Sequence, residues 1–387
     1  MKLIIVILDG LGDRTYRELK NKTPLEAANT PNLDFLAKNG KTGIMYPIKG
    51  IAPESDEAAL ALFGYNPYEV YTGRGPLEAL GANVDFSEGD VVLRCNYALY
   101  KGNKITDVEY VPNKKELKDF ETKLNKIKLD VDFKVVNTLG YRFVLILKGK
   151  KLSPKISNTH PAYQIIKNYV TSAKPRGKPL KLRKCKALDK SKSAKRTAKI
   201  VNDFVEKSKG VLGGNKIVIT RGAGNRVPRL KKLERNWALL ADTPVEMAIG
   251  KITGMAILGH PKSLKQAVKD VENALKKYDS LYLQIKETDH WSHRGKLIKK
   301  KEAIEEIDRG FVSKIMKLKD TLICITADHS TPCKIKAHSA DPVPLLIYYN
   351  KIKPDRAEKF SEKACKKGII GKIEGKDLMS VLKKEVS

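Results

Sequence analysis

The feature that most constrains the fold is a short apolar run at the start of the chain, Lys2–Leu8, with the sequence KLIIVIL. Aliphatic residues occupy consecutive positions rather than alternate ones, so both faces of the segment must be buried. Such a run predicts an interior strand of a parallel sheet that has helices on both faces. The run ends in Asp9-Gly10, and open α/β sheets present ligand-binding side chains at this end of their strands.

Three further apolar runs predict strands of the same sheet. They cover Ser280–Ile285, Thr321–Ile325 and Pro344–Tyr349. Apolar residues at helical spacing over Ile298–Met316 predict a helix between two of them. This alternation of strands and helices favours a doubly wound α/β sheet.

The middle of the chain is expected to form a separate α+β unit that is rich in strands and poor in helices. We place this inserted domain at residues 96–232, so that residues 1–95 and 233–387 make up one discontinuous domain. The predicted elements of the middle region are strands at Val91–Tyr100, Val131–Val136, Tyr141–Lys148 and Lys216–Thr220 and a helix near Lys195–Lys209.

The charge of the chain is strongly basic, with 75 Lys and Arg against 44 Asp and Glu and a formal net charge of +31. Within Lys174–Lys199, 12 Lys or Arg accompany a single acid, Asp189. A polyanion-binding arm and a solvated basic loop both fit this tract. Aromatic residues make up only 7% of the chain, which argues against a nucleic-acid partner.

Membrane and targeting signals are not evident in the sequence. No apolar run reaches the 18 or so residues of a membrane span, and the start lacks the pattern of a signal peptide. We therefore expect a cytoplasmic protein without a membrane partner. Nothing in the sequence specifies an oligomeric state.

Histidines and aspartates cluster in the last third of the chain, close to predicted strands. Asp289 and His293 are four residues apart, so one helical turn directs both side chains at one point. Mixed carboxylate and imidazole sets suit Zn, Mn or Co, and carboxylate-rich sets also suit Mg. The sequence therefore predicts a metal site, built from the segments T-D-H-W-S-H (288–293), T-A-D-H-S-T-P (326–332) and A-H-S-A-D-P (337–342).

Ser55 lies in A-P-E-S-D-E-A (52–58), directly before the apolar helical run Ala59–Phe63. An isolated serine at such a place is commonly an N-cap. The same place lies at the positive end of the helix dipole, which favours an alkoxide or a bound phosphate. Neighbouring metal ions would activate this hydroxyl without a histidine base. The residues alone leave both roles open.

A series of ordered motifs extends over nearly the whole chain. They are I-L-D-G-L-G-D (7–13), F-G-Y-N-P (63–67), Y-T-G-R-G-P-L-E-A-L-G (71–81), R-C-N-Y-A (94–98), T-R-G-A-G (220–224), D-x-x-x-H (289–293) and the segment from T-A-D-H-S-T-P to H-S-A-D-P-V-P (326–344). Together they resemble the archaeal type of cofactor-independent phosphoglycerate mutase. The resemblance implies an α/β fold in which an alkaline-phosphatase-like doubly wound sheet domain is interrupted by a smaller α+β insertion domain.

The resemblance also implies a site and a reaction. The reaction is the interconversion of 3-phosphoglycerate and 2-phosphoglycerate through a phosphoserine, with a small phosphorylated acid as substrate, two divalent ions (Mn, Co, Zn or Mg) and no organic cofactor. The implied roles are Ser55 as nucleophile, Asp9, Ser55, Asp328 and His329 around one ion, Asp289, His293 and His338 around the other, and Arg221 and Arg74 on the substrate.

The chain departs from the family pattern mainly in the predicted insertion. The family's R-A-G-R-I stretch is replaced by D-V-E-Y-V-P-N-K (107–114), its D-T-D-P-H by N-T-H-P-A (158–162) and its G-A-T-G by L-G-H-P-K (258–262). The missing arginines keep open an alternative function, a metal-dependent phosphatase or a mutase acting on another small phosphorylated acid. A catalytically inactive binding protein that uses Lys174–Lys199 is a third hypothesis, which the complete metal set opposes.

Overall fold

The computed structural model describes residues 1–175, 180–355 and 357–386. The strands in these ranges are β1 (Lys2–Leu8), β2 (Lys41–Tyr46), β3 (Val91–Lys101), β4 (Lys104–Asp107), β5 (Phe133–Leu139), β6 (Arg142–Leu147), β7 (Tyr163–Lys167), β8 (Val170–Ala173), β9 (Leu180–Lys181), β10 (Lys216–Gly224), β11 (Trp237–Leu240), β12 (Ala256–Ile257), β13 (Ser280–Ile285), β14 (Thr321–Thr326), β15 (Val343–Tyr348) and β16 (Gly371–Glu374).

The helices are mostly short, and α7 is the longest of those described. They are α1 (Pro24–Ala27), α2 (Pro31–Lys38), α3 (Ser55–Leu62), α4 (Pro67–Val70), α5 (Arg74–Gly81), α6 (Lys114–Asn125), α7 (Lys192–Leu212), α8 (Pro244–Thr253), α9 (Leu264–Lys277), α10 (Glu287–His293), α11 (Leu297–Ile307), α12 (Ser313–Ile315), α13 (Glu362–Cys365) and α14 (Leu378–Val386).

The larger sheet has eight strands in the order β12-β11-β13-β1-β14-β15-β2-β16. Its centre is β1, which pairs in parallel with both β13 and β14. Every residue from Leu3 to Leu8 is almost fully buried, as the continuous apolar run predicts. The predicted α/β class is confirmed. Since parallel strands end at the same edge, the residues that follow β1, β13 and β14 are brought together there.

The predicted strands of this sheet are also confirmed, two of them with the same bounds, Lys2–Leu8 and Ser280–Ile285. The sheet is mixed, however, because β15 runs antiparallel to both β14 and β2.

The single helix predicted over Ile298–Met316 is divided in the structure. A π-helical turn at Asp308–Val312 separates α11 from α12. The turn begins at Asp308, whose buried carboxylate accepts hydrogen bonds from the Leu33 backbone N–H (2.7 Å) and the Asn32 side-chain amide (2.8 Å). Asp308 thereby accepts hydrogen bonds from N–H groups at the start of α2. Since this contact joins residues far apart in the chain, the apolar periodicity of the segment does not reveal it.

The second sheet has the strand order β5-β6-β3-β4-β9, with β10 paired to β3. These strands lie between Val91 and Gly224, and β3 runs across the predicted boundary between residues 95 and 96. The assignment of residues 96–232 to an inserted domain stays a prediction. The sheet has its own apolar core, separate from that of the larger sheet.

The middle region contains a helix that the sequence analysis missed, α6. Its apolar face is narrow, with only Phe120 and Leu124 buried. The signal that could have located it is the capping box of Asn113 and Glu116, in which each side chain accepts a hydrogen bond from the other residue's backbone N–H.

The basic tract Lys174–Lys199 enters β9 and the first turns of α7, and its residues 176–179 lie outside the described residues. On α7, Lys195 and Lys199 are exposed, whereas Ala194 and Ala198 are buried. The lysines therefore occupy the outer face of an amphipathic helix. None of the helices described is both long enough and apolar enough to cross a membrane.

A buried lysine on α11 connects two loops at the edge of the larger sheet. The Lys300 ammonium is fully buried and donates hydrogen bonds to the backbone carbonyls of Gly10 (2.9 Å) and Thr331 (3.2 Å). It also pairs with the buried Asp13 carboxylate at 3.0 Å. One charged group thus joins the loop after β1 to the loop after β14.

We expect Lys300→Met to lower the free energy of unfolding by about 3–5 kcal/mol, because Asp13 would remain buried without its partner. Urea unfolding followed by circular dichroism measures the change. The control is Lys299→Met, which removes an exposed ion pair with Glu302 and should cost less than about 1 kcal/mol. Equal effects of the two substitutions would contradict the proposed importance of the buried pair.

Candidate metal and phosphotransfer site

Three predicted ligands form one compact group on α10 and the loop before β15. Asp289, His293 and His338 each place a ligand atom within 4.8 Å of the others. The predicted i, i+4 relation is confirmed, with His293 Nε2 lying 3.2 Å from Asp289 Oδ2. This is the set that the family resemblance assigns to one ion.

A second group lies at the ends of β1 and β14. Asp9, Asp289 and His329 also place ligand atoms within 4.8 Å of one another. Asp328 Oδ2 lies 3.2 Å from His329 Nε2, and Ser55 Oγ lies 3.4 Å from the same nitrogen. The structure therefore gathers the four residues predicted for the other ion and adds Asp289, which belongs to both groups.

Two of the three imidazoles of the site are oriented in the same way. His293 Nδ1 is 3.0 Å from the Lys336 carbonyl and His338 Nδ1 is 2.6 Å from the Pro53 carbonyl. Carbonyl oxygens only accept hydrogen bonds, so Nδ1 carries the proton in both rings. Burial lowers the pKa of His338, so its Nε2 lone pair is available to a cation, the arrangement typical of histidine ligands.

The electrostatics of the site favour a bound cation. Burial, together with the carboxylates of Asp328 and Asp289, raises the pKa of Asp9 well above its usual range. Burial and the neighbouring His329 lower the pKa of His338, and the two rings stack at 3.6 Å. The buried Oδ1 atoms of Asp9 and Asp289 accept no hydrogen bond within the described structure. Orphaned carboxylate oxygens beside imidazole nitrogens fit a divalent ion.

Gly10 is needed for this packing. Its φ is +61°, and a Cβ there would lie 2.5 Å from Asp289 Oδ1 and 2.7 Å from Thr331 Oγ1. The backbone after β1 therefore passes against the carboxylate without room for a side chain.

Ser55 is the first residue of α3, and the N-cap position belongs to Glu54. The interpretation of Ser55 as an N-cap is therefore wrong. The half-buried hydroxyl lies at the positive end of the helix dipole, beside the second metal-ligand group.

Arg74 holds the start of α3 in place through ion pairs with its acidic residues. Its Nη1 lies 2.7 Å from Glu54 Oε2 and 2.9 Å from Asp56 Oδ1, and its Nε lies 3.7 Å from Glu78 Oε2. The side chain is thus surrounded by carboxylates on buried elements. Its direct contact with substrate phosphate stays a prediction, and the geometry favours a supporting role.

Arg221 reaches the site from β10. Its guanidinium forms an ion pair with Glu54 and stacks over the Tyr163 ring at 3.9 Å. Burial lowers the pKa of Arg221 well below its usual range. Arg221 therefore belongs to a wall of the site that the second sheet builds, whereas the candidate metal ligands lie at the edge of the larger sheet. Its partner Glu54 directly precedes Ser55 in the chain.

Two of the departures from the family pattern lie behind this wall. Asn158 Oδ1 accepts a hydrogen bond from the Gly222 N–H at 3.1 Å, next to Arg221 in the chain. The His160 ring contacts Tyr163 at 4.9 Å between centroids. These residues support the strand that carries Arg221.

Both walls enclose a cavity of about 310 Å³, and several of its residues were not predicted. Arg94 and Arg142 line it from the second sheet. Gln284, which is buried next to the lining residue Asp9, donates a hydrogen bond to Asp9 Oδ2 at 2.8 Å. All three interrupt or begin an apolar strand, and a polar residue within such a run is the signal that could have found them.

Comparisons with known proteins point to one family. A family profile described as 2,3-bisphosphoglycerate-independent phosphoglycerate mutase matches residues 37–217. The protein of that name from Methanobrevibacter smithii is 37% identical, covering 99% of this chain and 97% of its own. The one from Thermococcus kodakarensis is 35% identical, covering 98% and 96%.

Solved structures agree as well. The PH0037 protein from Pyrococcus horikoshii superposes with a TM-score of 0.77 at 28% identity, covering 100% of this chain and 97% of that one. The cofactor-independent phosphoglycerate mutase from Thermoplasma acidophilum gives a TM-score of 0.64 at 26% identity, with both chains fully covered.

Fold and site together define an α/β protein that gathers carboxylates and imidazoles beside a serine at a helix start. With relatives this similar over their full length, the chain belongs to the 2,3-bisphosphoglycerate-independent phosphoglycerate mutase family.

We expect the metal-free protein to bind two Mn²⁺ ions and His338→Ala to bind only one, because the variant removes a ligand from one group alone. Isothermal titration calorimetry of the chelator-treated protein gives the stoichiometry. His260→Ala, which alters a histidine outside both groups, serves as the control and should still bind two ions. An unchanged stoichiometry in His338→Ala would contradict the assignment.

Proposed function

We propose that this protein interconverts 3-phosphoglycerate and 2-phosphoglycerate through a phosphoserine formed on Ser55. The observation that carries the proposal is the position of Ser55 Oγ, 3.4 Å from His329 Nε2, between the metal-ligand groups and an arginine-bearing wall. The names of the full-length relatives support the choice of substrate.

We further propose that Asp9, Ser55, Asp328 and His329 hold one divalent ion and that the group of Asp289, His293 and His338 holds another. Bound ions of this kind polarise phosphoryl oxygens and favour the ionised form of a serine hydroxyl. The mixed oxygen and nitrogen donors suit Mn, Co or Zn, with Mg as a further candidate and no organic cofactor involved.

The chain's own residues contribute the rest of the mechanism. The start of α3 favours negative charge on Ser55 Oγ as it attacks the phosphoryl group. Arg221 offers a planar set of N–H donors to the phosphoryl oxygens, and it must exchange Glu54 for them. The second sheet covers the cavity and limits access of water, which would otherwise hydrolyse the phosphoserine.

The isomerisation requires that glycerate stays bound while its two hydroxyls exchange places. The phosphoserine then returns its phosphoryl group to the other hydroxyl, and no bisphosphoglycerate primer is needed. A soluble substrate of this kind fits activity in the cytoplasm.

The alternative, a phosphatase or a mutase on another small phosphorylated acid, was motivated by the absent R-A-G-R-I arginines. Arg94 and Arg142, which line the same cavity, weaken that motive, because the second sheet still offers guanidinium groups to the substrate.

We expect 3-phosphoglycerate and Mn²⁺ to yield 2-phosphoglycerate, and excess EDTA to abolish the conversion. Phosphorus NMR distinguishes both isomers and inorganic phosphate in one spectrum. Release of inorganic phosphate without isomerisation would support the phosphatase alternative. Full activity after exhaustive chelation would contradict the metal-dependent mechanism.

Ser55→Ala is expected to lower the rate at least about 10³-fold, since no neighbouring group can replace the nucleophile. Acid-quenched protein incubated with labelled substrate should carry phosphate on Ser55 in the wild type and in the exposed control Ser380→Ala, but not in Ser55→Ala. Label on a histidine, or transfer retained in Ser55→Ala, would exclude the phosphoserine route.

A further inference from the structure

The hairpin of β7 and β8 extends from the second sheet to the larger one. The two strands form a sheet of their own, and a hairpin of this size is only marginally stable by itself. Val170, the first residue of β8, is fully buried in the apolar core of the larger sheet, although the chain on either side of the hairpin contributes strands to the second sheet. The conformation of the hairpin therefore depends on contacts with both sheets.

The base of the hairpin is held by β10, the strand that carries Arg221. Shortly before β7, the Thr159 N–H donates a hydrogen bond to the Thr220 carbonyl at 3.0 Å, and the Thr220 N–H donates one to the Thr159 hydroxyl at 2.7 Å. Tyr163, the first residue of β7, has its ring centre 3.9 Å from the Arg221 guanidinium carbon. The hairpin is thus fixed to the second sheet at this end.

Thr171 of β8 contacts the start of α3. Its N–H donates a hydrogen bond to Glu57 Oε1 at 2.7 Å. Its hydroxyl lies 3.0 Å from the same oxygen and 3.1 Å from Glu54 Oε1. Carboxylate oxygens accept hydrogen bonds, so the Thr171 hydroxyl is the donor in both contacts and shares one proton between them. Thr171 is buried, which strengthens hydrogen bonds to charged acceptors.

The neighbours of Thr171 on β8 hold the chain just before α3. Ser172 Oγ accepts a hydrogen bond from the Ala52 N–H at 3.1 Å, and the Ala173 N–H donates one to the Ala52 carbonyl at 2.9 Å. Consecutive residues of β8 therefore bind both ends of the segment from 52 to 57, which contains Ser55.

The two carboxylates that Thr171 contacts set the backbone on both sides of Ser55. Glu54 is the N-cap of α3, and Glu57 is the third residue of the helix. They form a capping box, in which each side chain accepts a hydrogen bond from the other residue's backbone N–H. Ser55 lies between them in the chain, so a shift of either carboxylate displaces its hydroxyl.

We propose that Thr171 is a positioning residue for Ser55 and that the β7–β8 hairpin couples the second sheet to the start of α3. The proposal rests on the proposed function, in which Ser55 is the nucleophile. Arg221 must release Glu54 when it binds phosphoryl oxygens, and Thr171 and Arg74 then still hold the Glu54 carboxylate. Ser55 thereby keeps its place beside the metal-ligand groups during the step that depends on it.

The first test compares Thr171→Val, which replaces the hydroxyl by a methyl group of similar size, with Thr171→Ser, which keeps the hydroxyl. On the full-length, Mn²⁺-loaded protein we expect Thr171→Val to lower kcat for 3-phosphoglycerate about 10- to 100-fold and to change KM less than about threefold, because a displaced nucleophile slows transfer without weakening binding. Thr171→Ser should restore kcat to within about threefold of the wild type.

The second test needs no substrate. Hydrogen–deuterium exchange of the Mn²⁺-loaded protein should show the backbone amides of residues 55–62 exchanging at least about fivefold faster in Thr171→Val than in the wild type or Thr171→Ser. Thr253→Val is the matched control, since Thr253 is a buried threonine whose hydroxyl donates to the Ile249 carbonyl within α8 at 2.7 Å. It should leave both kcat and the exchange of α3 unchanged.

Should Thr171→Val fail to fold by circular dichroism, Ser172→Ala provides a milder test. It removes only the acceptor of the Ala52 N–H and should lower kcat about two- to fivefold with KM unchanged. A wild-type kcat in this variant would then overturn the proposal.

A folded Thr171→Val protein with the kcat and the α3 exchange of the wild type would overturn the positioning role and leave the proposed function intact. A loss of kcat that Thr171→Ser does not restore would overturn it too, because the hydroxyl would then not be the cause. Conversely, a wild-type protein that did not interconvert phosphoglycerates, but whose α3 exchanged faster in Thr171→Val alone, would refute the proposed function and support the hairpin's hold on Ser55.

Discussion

The structure depends on holding three carboxylates together at one edge of a sheet, two of them buried and the third, Asp289, half-buried. Asp9, Asp289 and Asp328 follow three adjacent parallel strands, and their mutual repulsion opposes the fold unless positive charge is supplied. Lys300 holds the loops after β1 and β14 in place through their backbone carbonyls. The Nδ1 atoms of His293 and His338 are held by backbone carbonyls. A bound cation would therefore compensate the negative charge at this edge.

The opposite wall is rich in positive charge. Arg221, Arg94 and Arg142 share one face of the second sheet, and Arg221 pairs with Glu54. The two walls meet at Glu54, which contacts both Arg74 and Arg221 and lies next to Ser55.

Much of the larger sheet follows from local sequence patterns. The strands β1 and β13 have the predicted bounds, because an uninterrupted aliphatic run has few alternatives to a buried strand. The site residues that follow strands come together as expected, because parallel strands end at one edge. The N-cap interpretation of Ser55 was wrong, since Glu54 takes that position, and α6 was missed because only two of its residues are buried.

The sequence by itself determined the α/β class, the edge at which the ligands gather and the chemical types of those ligands, because strand periodicity and the direction of parallel strands are local properties. Only the tertiary structure decided that Asp289 belongs to both metal-ligand groups, that Arg74 is surrounded by carboxylates and that Arg94 and Arg142 face the cavity. These facts depend on strand register and on contacts between residues far apart in the chain. A shift of one residue in register would turn either arginine to the other face of its sheet.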